Sequence, residues 1–413
     1  MESLSQRNLA IIGQGYVGLP LAMAAVDAGW NVVGVDNSVD RVAALNRGKS
    51  PVEDISDQLL ASAIASKKYI ATTNFTDIAS ATVVTICVPT PLNGSREPDL
   101  GPLESATISA APHLRDGALL VSESTSYPGT LRDVVIPLVN ANREAGSEKL
   151  FFAAAPERVN PGDLQWNQKN TPRLVGGIDS ESHEIAMKFY SSISENPIPV
   201  SAPEIAEAAK LLENTFRLVN IGLVNEFTKL CDAAGISVNE VISAAETKPY
   251  GFMAFRPGVG VGGHCIPVDP LYLTWWAREL NSSAPMVELA DRTNHEMHIY
   301  IAKKALSLIK VQKPKARILI LGVAYKAGIS DIRETPVANL RDHLSSLGHQ
   351  VLWSDPFVES WEGSIPASII TDCDVAILAV NQPGIDLTPL LSNGIPVLDC
   401  TNSYKSVDGI VSI

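Results

Sequence analysis

The sequence predicts an α/β protein: two doubly wound, mostly parallel sheets joined by a helical middle domain. Short apolar runs alternate with helical patterns in the first third of the 413 residues, and the same alternation returns in the last third. Between them, apolar side chains recur three and four residues apart over a long stretch, which predicts a single long helix. We therefore expect three domains, at residues 1–198, 199–310 and 311–413.

The predicted strands follow one another at short intervals. In the first domain they are "LAIIG", "NVVGVD", "ATVVTICVP", "GALLVSES" and "LFFAAAPE", with a helix over residues 16–29 after the first. In the last domain they are "RILILGVAYK", "QVLWSD", "DVAILAV" and "IPVLDC". A charged, proline-containing segment, "KVQKPKAR", precedes this second set and marks the domain boundary there.

The long helix of the middle domain carries two distinct faces. Its apolar stripe consists of Ile205, Ala209, Leu212, Phe216, Val219, Leu223, Phe227 and Leu230. Such a stripe on so long a helix indicates either a surface shared between domains or subunits or a central core helix. The first alternative predicts a homodimer or higher homo-oligomer. About 100° away, Lys210, Asn214 and Arg217 share a second face at spacings of four and three. This second face is either solvated or part of a site.

The composition is typical of a globular protein and narrows its partners. Hydrophobic residues make up 46% of the chain and charged residues 19%, and the net charge is −13. This balance argues against nucleic acid as a partner, because phosphate binding needs basic patches. No apolar run approaches ~18 residues, so no membrane span is expected. The five cysteines form no C-x-x-C pair, which favours a reducing, cytoplasmic location over a disulfide framework.

A glycine-rich turn between the first strand and the first helix predicts a dinucleotide site. Gly13, Gly15 and Gly18 form the pattern G-x-G-x-x-G, in the strand–turn–helix context of a Rossmann domain. The helix N-terminus would face the pyrophosphate. Asp36 ends the second strand, where it would accept hydrogen bonds from ribose hydroxyls and repel a 2′-phosphate, so NAD is expected rather than NADP. A glycine turn without a ligand is the alternative interpretation.

A second glycine-rich segment surrounds Cys265. It reads "FRPGVGVGGHCIPVDP", with His264 beside the thiol and Asp269 four residues after it. Glycines at 258, 260, 262 and 263 allow the backbone to approach a ligand or to adopt positive φ. A thiol in such a loop can be exposed and reactive, whereas the other four cysteines lie in apolar runs and are expected to be inert. An isolated cysteine is more often inert, and the flanking glycines together with a dinucleotide site favour the reactive interpretation.

Seven motifs resemble the UDP-glucose/GDP-mannose dehydrogenase family over nearly the whole chain. In order, they are "GQGYVGLPLA", "CVPTPL", "ESTSYPGT", "PERVNPG", "KLLENTFRLVNIGLVNE", "GVGGHCIPVDP" and "GVAYKAGISDIRETP". The resemblance implies an NAD-dependent, four-electron oxidation of a sugar C6 hydroxyl. Cys265 would bind the aldehyde as a thiohemiacetal and then as a thioester, which water hydrolyses to the uronate. No metal ion is expected.

The resemblance also implies roles for individual residues. Lys210 and Asn214 would stabilise the oxygen at C6, with Lys210 also moving a proton. Water would be positioned by Asp269 and assisted in thioester hydrolysis by Glu157 and Thr125. The cofactor would be contacted by Gly13, Gly15, Tyr16, Val17, Gly18, Asp36, Arg41, Thr90, Thr125 and Arg333. The nucleotide sugar would be contacted by Arg158, Val159, Lys210, Asn214, Arg217, Arg256, Gly258, Tyr325 and Lys326. The alternatives are an ion pair between Glu157 and Arg158, and a surface charge for Lys326.

Within the family, the motifs resemble the branch that acts on UDP-N-acetylhexosamines. The glucose branch has Lys just before the Asp that follows the catalytic Cys, and this chain has Val268. UDP-N-acetyl-D-glucosamine is the expected substrate, with UDP-N-acetyl-D-mannosamine, UDP-glucose and GDP-mannose as alternatives. A catalytically silent NAD-binding regulator would lack part of the set Cys265, Lys210, Asn214 and Asp269. One departure concerns the last domain. Family members often carry a basic residue just after the late strand, where this chain has Thr401, and Lys405 is the remaining candidate for that basic residue.

Overall fold

The structure is a computed structural model that describes residues 7–144, 149–159, 165–311, 313–367, 371–404 and 407–413. The predicted fold class is confirmed, with a parallel-sheet domain at each end and a helical segment between them. The chain divides into two compact units, residues 1–213 and 214–413. The domain boundaries expected at 198/199 and 310/311 stay predictions.

The first unit is built on an eight-stranded sheet. Its strands are β1 (Asn8–Ile12), β2 (Asn31–Val35), β3 (Tyr69–Thr72), β4 (Val83–Ile86), β5 (Leu119–Ser122), β6 (Phe151–Ala154), β7 (Arg173–Gly177) and β8 (Pro197–Pro199). They lie in the order β3-β2-β1-β4-β5-β6-β7-β8, and only β6 and β7 pair antiparallel. The order reverses between β1 and β4, and ligands of such sheets bind beyond the carboxyl ends of the strands at that point.

Helices cover the two faces of this sheet. They are α1 (Gly18–Asp27), α2 (Val39–Asn46), α3 (Asp57–Ala65), α4 (Gly101–Ala110), α5 (Ile136–Asn142) and α6 (Ser180–Ile193), and a π-helical segment, Leu131–Val135, leads into α5. The central strands β4, β5 and β6 are buried along their whole length. Their near-continuous apolar sequence follows from this, because a parallel sheet has a covered face on both sides.

The long helix, α7 (Pro203–Ala234), begins in the first unit and continues into the second. Its predicted apolar stripe faces outward, and Leu212 and Leu223 are 64% and 65% exposed. The opposite face, which includes Ala206, Leu211 and Leu218, is buried. The stripe is therefore not a core surface of this chain.

The second unit continues with helices and a five-stranded sheet. The helices are α8 (Val238–Glu246), α9 (Asp269–Glu279), α10 (Pro285–His295), α11 (Met297–Ser307), α12 (Pro336–Ser346) and α13 (Thr388–Ser392). The strands are β9 (Arg317–Leu321), β10 (Gln350–Ser354), β11 (Val375–Leu378), β12 (Val397–Asp399) and β13 (Ile410–Ser412), all parallel and in the order β10-β9-β11-β12-β13. In the described part of the chain, no helix has both the length and the apolar character needed to cross a membrane.

Candidate functional site

The glycines of the turn between β1 and α1 serve two different purposes. Gly13 has φ +94°, and a Cβ there would lie 2.4 Å from the carbonyl oxygen of Cys87. A Cβ on Gly18 would lie 1.9 Å from the carbonyl oxygen of Gly13. Packing within the chain therefore requires both of these glycines. Gly15 would meet nothing within 4 Å, so its missing side chain leaves open space over the turn, which suits the close approach of a pyrophosphate.

Asp36 lies at the end of β2 and is buried. Its Oδ2 accepts the backbone N–H of Gln14 at 2.9 Å and the Arg41 guanidinium at 3.0 Å, and its Oδ1 accepts the backbone N–H of Ser38 at 2.9 Å. A carboxylate accepts about four hydrogen bonds, so Asp36 retains capacity for a ribose hydroxyl. The Arg41 guanidinium binds this carboxylate, and it lies at the edge of the sheet where the adenosine end of a dinucleotide is expected.

The remaining predicted cofactor residues of the first unit lie around the same strand ends. Val17 immediately precedes α1, and the Tyr16 hydroxyl donates to Glu53 at 3.0 Å. Thr90 follows β4 and Thr125 follows β5, and the Thr90 hydroxyl donates to the carbonyl oxygen of Thr125 at 2.7 Å. Because parallel neighbours end at the same sheet edge, these residues come together at the switch point. The donor set and the open turn fit a dinucleotide.

Glu157 lies in a saturated network at the end of β6. Its Oε1 accepts the backbone N–H groups of Arg158 and Val159, and its Oε2 accepts from Gln168 and Arg173, each at 2.6 Å. Burial alone would raise its pKa, but the Arg173 guanidinium and the Val159 N–H hold the pKa of Glu157 below its ordinary value. Glu157 is thus an ionised carboxylate with about four filled acceptor positions, and activating a water requires it to release one of them.

Arg173 is the centre of this network, and no motif in the sequence indicated it. It is 3% exposed and also donates to Glu123 at 2.8 Å. Glu123 in turn accepts a hydrogen bond from the Tyr190 hydroxyl at 2.6 Å. Burial raises the pKa of Glu123, although the charge of Arg173 lowers it. Arg158 pairs instead with Glu213 at 2.7 Å. Glu157 and Arg158 therefore do not form the ion pair considered as an alternative.

The polar face of α7 is buried where Lys210 and Asn214 lie, and they are 8% and 4% exposed. The Asn214 amide donates to the Asp269 carboxylate at 2.5 Å. Within the described residues, Lys210 has no hydrogen-bond or ion-pair partner. Arg217, one turn further along, is exposed. The solvated-face interpretation is therefore wrong for Lys210 and Asn214 and holds only for Arg217.

Cys265 is exposed and lies one turn before α9. Its carbonyl oxygen accepts the N–H of Asp269 at 2.9 Å, so the residue lies just before the N-terminal end of that helix, where the peptide dipoles favour negative charge. Asp269, bound to Asn214, is buried. Of the other four cysteines, only Cys373 is partly exposed. The structure therefore brings Cys265, Asp269 and Asn214 together.

The glycines before Cys265 allow the loop to lie against Tyr325. Gly263 has φ +82°, and a Cβ there would lie 2.8 Å from the Tyr325 ring. Burial, Asp331 and Cys265 raise the pKa of Tyr325, in that order of size. Burial and then Arg333 lower the pKa of His264. The thiol loop and the segment after β9 thus form one polar cluster within the second unit.

Four other predicted site residues have contacts that can be stated. Arg333 binds Asp331 through Nε and Nη2. Arg256 pairs with Glu246 at 2.8 Å, and the Gly258 N–H donates to Asn225 at 3.1 Å. The half-buried Lys326 accepts a hydrogen bond at its carbonyl oxygen from Gln382 at 3.4 Å.

The end of β12 is organised around Asp399. Its Oδ1 accepts the backbone N–H and the hydroxyl of Thr401, both at 2.7 Å, and its Oδ2 accepts the Tyr404 N–H at 3.0 Å. Thr401 is thus engaged in a local turn. Lys405 lies outside the described residues.

Comparison with known proteins agrees with this architecture. Three domain models of the UDP-glucose/GDP-mannose dehydrogenase family match: the NAD binding domain over residues 7–194, the central domain over 204–296 and the UDP binding domain over 319–406. A UDP-N-acetyl-D-mannosamine dehydrogenase of Methanococcus maripaludis is 35% identical, with 96% of this chain and 93% of that protein covered. A UDP-N-acetyl-D-glucosamine 6-dehydrogenase of Pseudomonas aeruginosa is 34% identical, with 86% and 83% covered.

A solved structure is similar along the whole chain. The UDP-D-ManNAc dehydrogenase of Pyrococcus horikoshii superposes with a TM-score of 0.89 at 31% identity, and 98% of each chain is covered. Together with the domain matches, this similarity accounts for the NAD-binding first unit and for the parallel sheet of the second. The chain belongs to the UDP-glucose/GDP-mannose dehydrogenase family, whose members related to it are NAD-dependent UDP-sugar 6-dehydrogenases.

Proposed function

We propose that the protein oxidises the C6 hydroxyl of a UDP-N-acetylhexosamine to the uronate, using two molecules of NAD per sugar. The observation that carries the proposal is the buried hydrogen bond between Asn214 and Asp269, which ties α7 to the start of the helix behind Cys265. It joins an amide donor to the carboxylate of a residue whose backbone N–H binds the carbonyl oxygen of the exposed Cys265. Lys210, one turn before Asn214 on the same face, is a buried residue whose ammonium has no partner among the described residues.

These side chains suit the two oxidation steps. When bound, NAD supplies the hydride acceptor. The C6 hydroxyl gives up its proton to solvent as hydride leaves C6, so the oxygen has alkoxide character before the carbonyl forms, and the Lys210 ammonium and the Asn214 amide are donors of the kind that stabilise it. The Cys265 sulfur then adds to the aldehyde carbon, which holds it as a thiohemiacetal and makes the second hydride transfer intramolecular. The product of that transfer is a thioester.

Hydrolysis of the thioester requires a positioned water. Asp269 is the carboxylate nearest in sequence to the thiol, and it is buried and bound by Asn214. Thr125 is the second proposed group, at the cofactor edge of the first unit. For Glu157 we propose a role in holding the turn of Arg158 and Val159, and in water activation only if one of its four donors is displaced.

The C2 configuration of the sugar is the finer part of the proposal. The motifs favour the gluco configuration, whereas several relatives, including one that covers nearly the whole chain, are named for the manno sugar. We propose UDP-N-acetyl-D-mannosamine as the first candidate on the strength of those relatives, and UDP-N-acetyl-D-glucosamine as the second. We also propose a homodimer or higher homo-oligomer, because the apolar stripe of α7 is exposed on the single chain.

An NADH-release assay over a panel of UDP- and GDP-sugars tests the proposal. We expect one of the two UDP-N-acetylhexosamines to give the highest kcat/KM, with two NADH formed per uronate. One NADH per sugar would refute the four-electron mechanism. The highest kcat/KM with UDP-glucose or GDP-mannose would refute the substrate class while leaving the mechanism intact.

A further inference from the structure

Glu207 is a buried carboxylate that the proposed chemistry does not use. It lies on α7 one turn before Lys210 and is 2% exposed. Its Oε2 accepts the backbone N–H of Gly129 at 2.7 Å, and its Oε1 accepts the backbone N–H of Leu131 at 3.0 Å. A single carboxylate thus binds two backbone groups at the start of the helical segment that leads into α5.

The turn held by Glu207 begins at Thr125. Gly129 has φ +97°, and the Thr130 hydroxyl closes the turn on the carbonyl oxygen of Tyr127 at 2.7 Å. At its other end, the carbonyl oxygen of Thr125 accepts the hydroxyl of Thr90. The turn is therefore fixed at one end to the strand ends of the cofactor edge and at the other end to α7.

We infer that Glu207 is a positioning residue: its ionised carboxylate fixes the turn after Thr125 to the helix that carries Lys210, and so sets both for hydride transfer. The ionised form accepts both N–H groups in charge-assisted hydrogen bonds, whereas protonation makes one oxygen a hydroxyl, which is a donor and a weaker acceptor. The inference rests on the proposed function for its kinetic consequence. Its structural consequence, the immobilisation of the turn, stands apart from that function.

The surroundings of Glu207 make its ionisation depend on pH. Burial is the largest effect and raises the pKa of Glu207 to about 8. The two backbone N–H groups lower this pKa, and the carboxylates of Glu204 and Asp133 raise it. Arg132, on the same segment as Asp133, is bound by Glu204 at 2.6 Å. As pH falls through about 8 the carboxyl gains a proton, so the turn should loosen and turnover should fall.

The variant Glu207→Gln tests the inference because it keeps the shape and removes the second acceptor. We expect kcat to fall by about 10–100-fold, as for a displaced reacting group, and amide hydrogen exchange at Gly129 and Leu131 to become faster. The control is Glu184→Gln on α6, which removes an exposed carboxylate and its ion pair with Lys188 and should leave kcat within about twofold. Wild-type kcat in Glu207→Gln, or a loss of kcat with unchanged exchange at both amides, would overturn the inference.

A measurement on the wild-type protein covers the case in which Glu207→Gln does not fold. Protection of the Gly129 and Leu131 amides, corrected for the intrinsic pH dependence of exchange, should rise between pH 6.5 and 9.5 as Glu207 ionises through about 8. Constant protection over that range would overturn the inference. Because this measurement needs no sugar substrate, its failure is distinguishable from a failure of the proposed function, which would show as no turnover by the wild-type protein.

Discussion

Replacing Lys210 by methionine should separate activity from stability. Lys210 as a residue is 8% exposed, and its ammonium has no acceptor within the described residues, so the substitution breaks no intramolecular hydrogen bond or ion pair there. Methionine has a similar length and helix propensity. Removing one donor to a developing oxyanion typically lowers kcat by about 10²–10³-fold, which corresponds to about 2.7–4 kcal/mol. The free energy of unfolding should stay the same or rise by about 1 kcal/mol, because an unpaired buried charge is lost.

The assay combines initial rates of NADH formation at saturating substrates with thermal unfolding. For a unit of 213 residues, a gain of about 1 kcal/mol raises Tm by about 2–4 °C. The control is Lys188→Met on α6, whose side chain is 60% exposed and which should change neither quantity measurably. Lys210→Met with wild-type kcat would refute the role of the ammonium. A fall in Tm of several degrees together with kcat would show that Lys210 is structural.

Three further substitutions test other parts of the structure. Cys265→Ser should lower uronate formation by at least about 10³-fold, because a serine hydroxyl does not ionise near neutral pH, and wild-type acid formation would remove the thiol from the mechanism. Leu223→Glu should reduce the mass measured by light scattering to that of one chain. The control is Ile70→Glu, at an exposed position on β3, which should leave the mass unchanged. An unchanged mass for Leu223→Glu would show that the subunit contact lies elsewhere. Arg173→Met should cost about 3–5 kcal/mol in urea unfolding. That loss should be larger at pH 8 than at pH 5. Without the guanidinium the pKa of Glu157 is raised, so Glu157 and Glu123 are both ionised and repel each other only at the higher pH. A loss of stability that does not depend on pH would contradict this.

The sequence predicted the central strands and the long helix but not the sheet edges. Strands β4, β5 and β6 are buried on both faces, so their apolar runs are continuous and easily found. β3 and β8 lie at the edges of the first sheet, where one side of the strand has no neighbour and burial is partial. β8 is three residues with two prolines, "PIP". Edge strands of this kind carry weak patterns because short length and proline are what keep an edge from pairing further.

The candidate site was predictable where its signal is local. The turn of Gly13 and the loop of Cys265 are short motifs in which backbone conformation dictates residue type. The face of α7 required only helical periodicity, although its burial did not follow from that pattern. The contacts of Glu207 with Gly129 and of Arg173 with Glu123 could not be predicted, because the partners lie 78 and 50 residues apart in sequence and meet only in the folded unit.

Two cationic residues with little exposure in the first unit differ in their partners. Arg173 donates to four acceptors, which include Glu123, Glu157 and Gln168, so its desolvation is compensated. Its removal leaves the buried carboxylates of Glu123 and Glu157 without their counter-ion. Lys210, a residue with 8% exposure, has no such partner among the described residues. A cation retained under those conditions is expected to gain its partner from a ligand. Methionine substitutions at the two positions should therefore change stability in opposite directions, and a loss of stability of similar size at both would show that burial without a visible partner is not a guide to function in this fold.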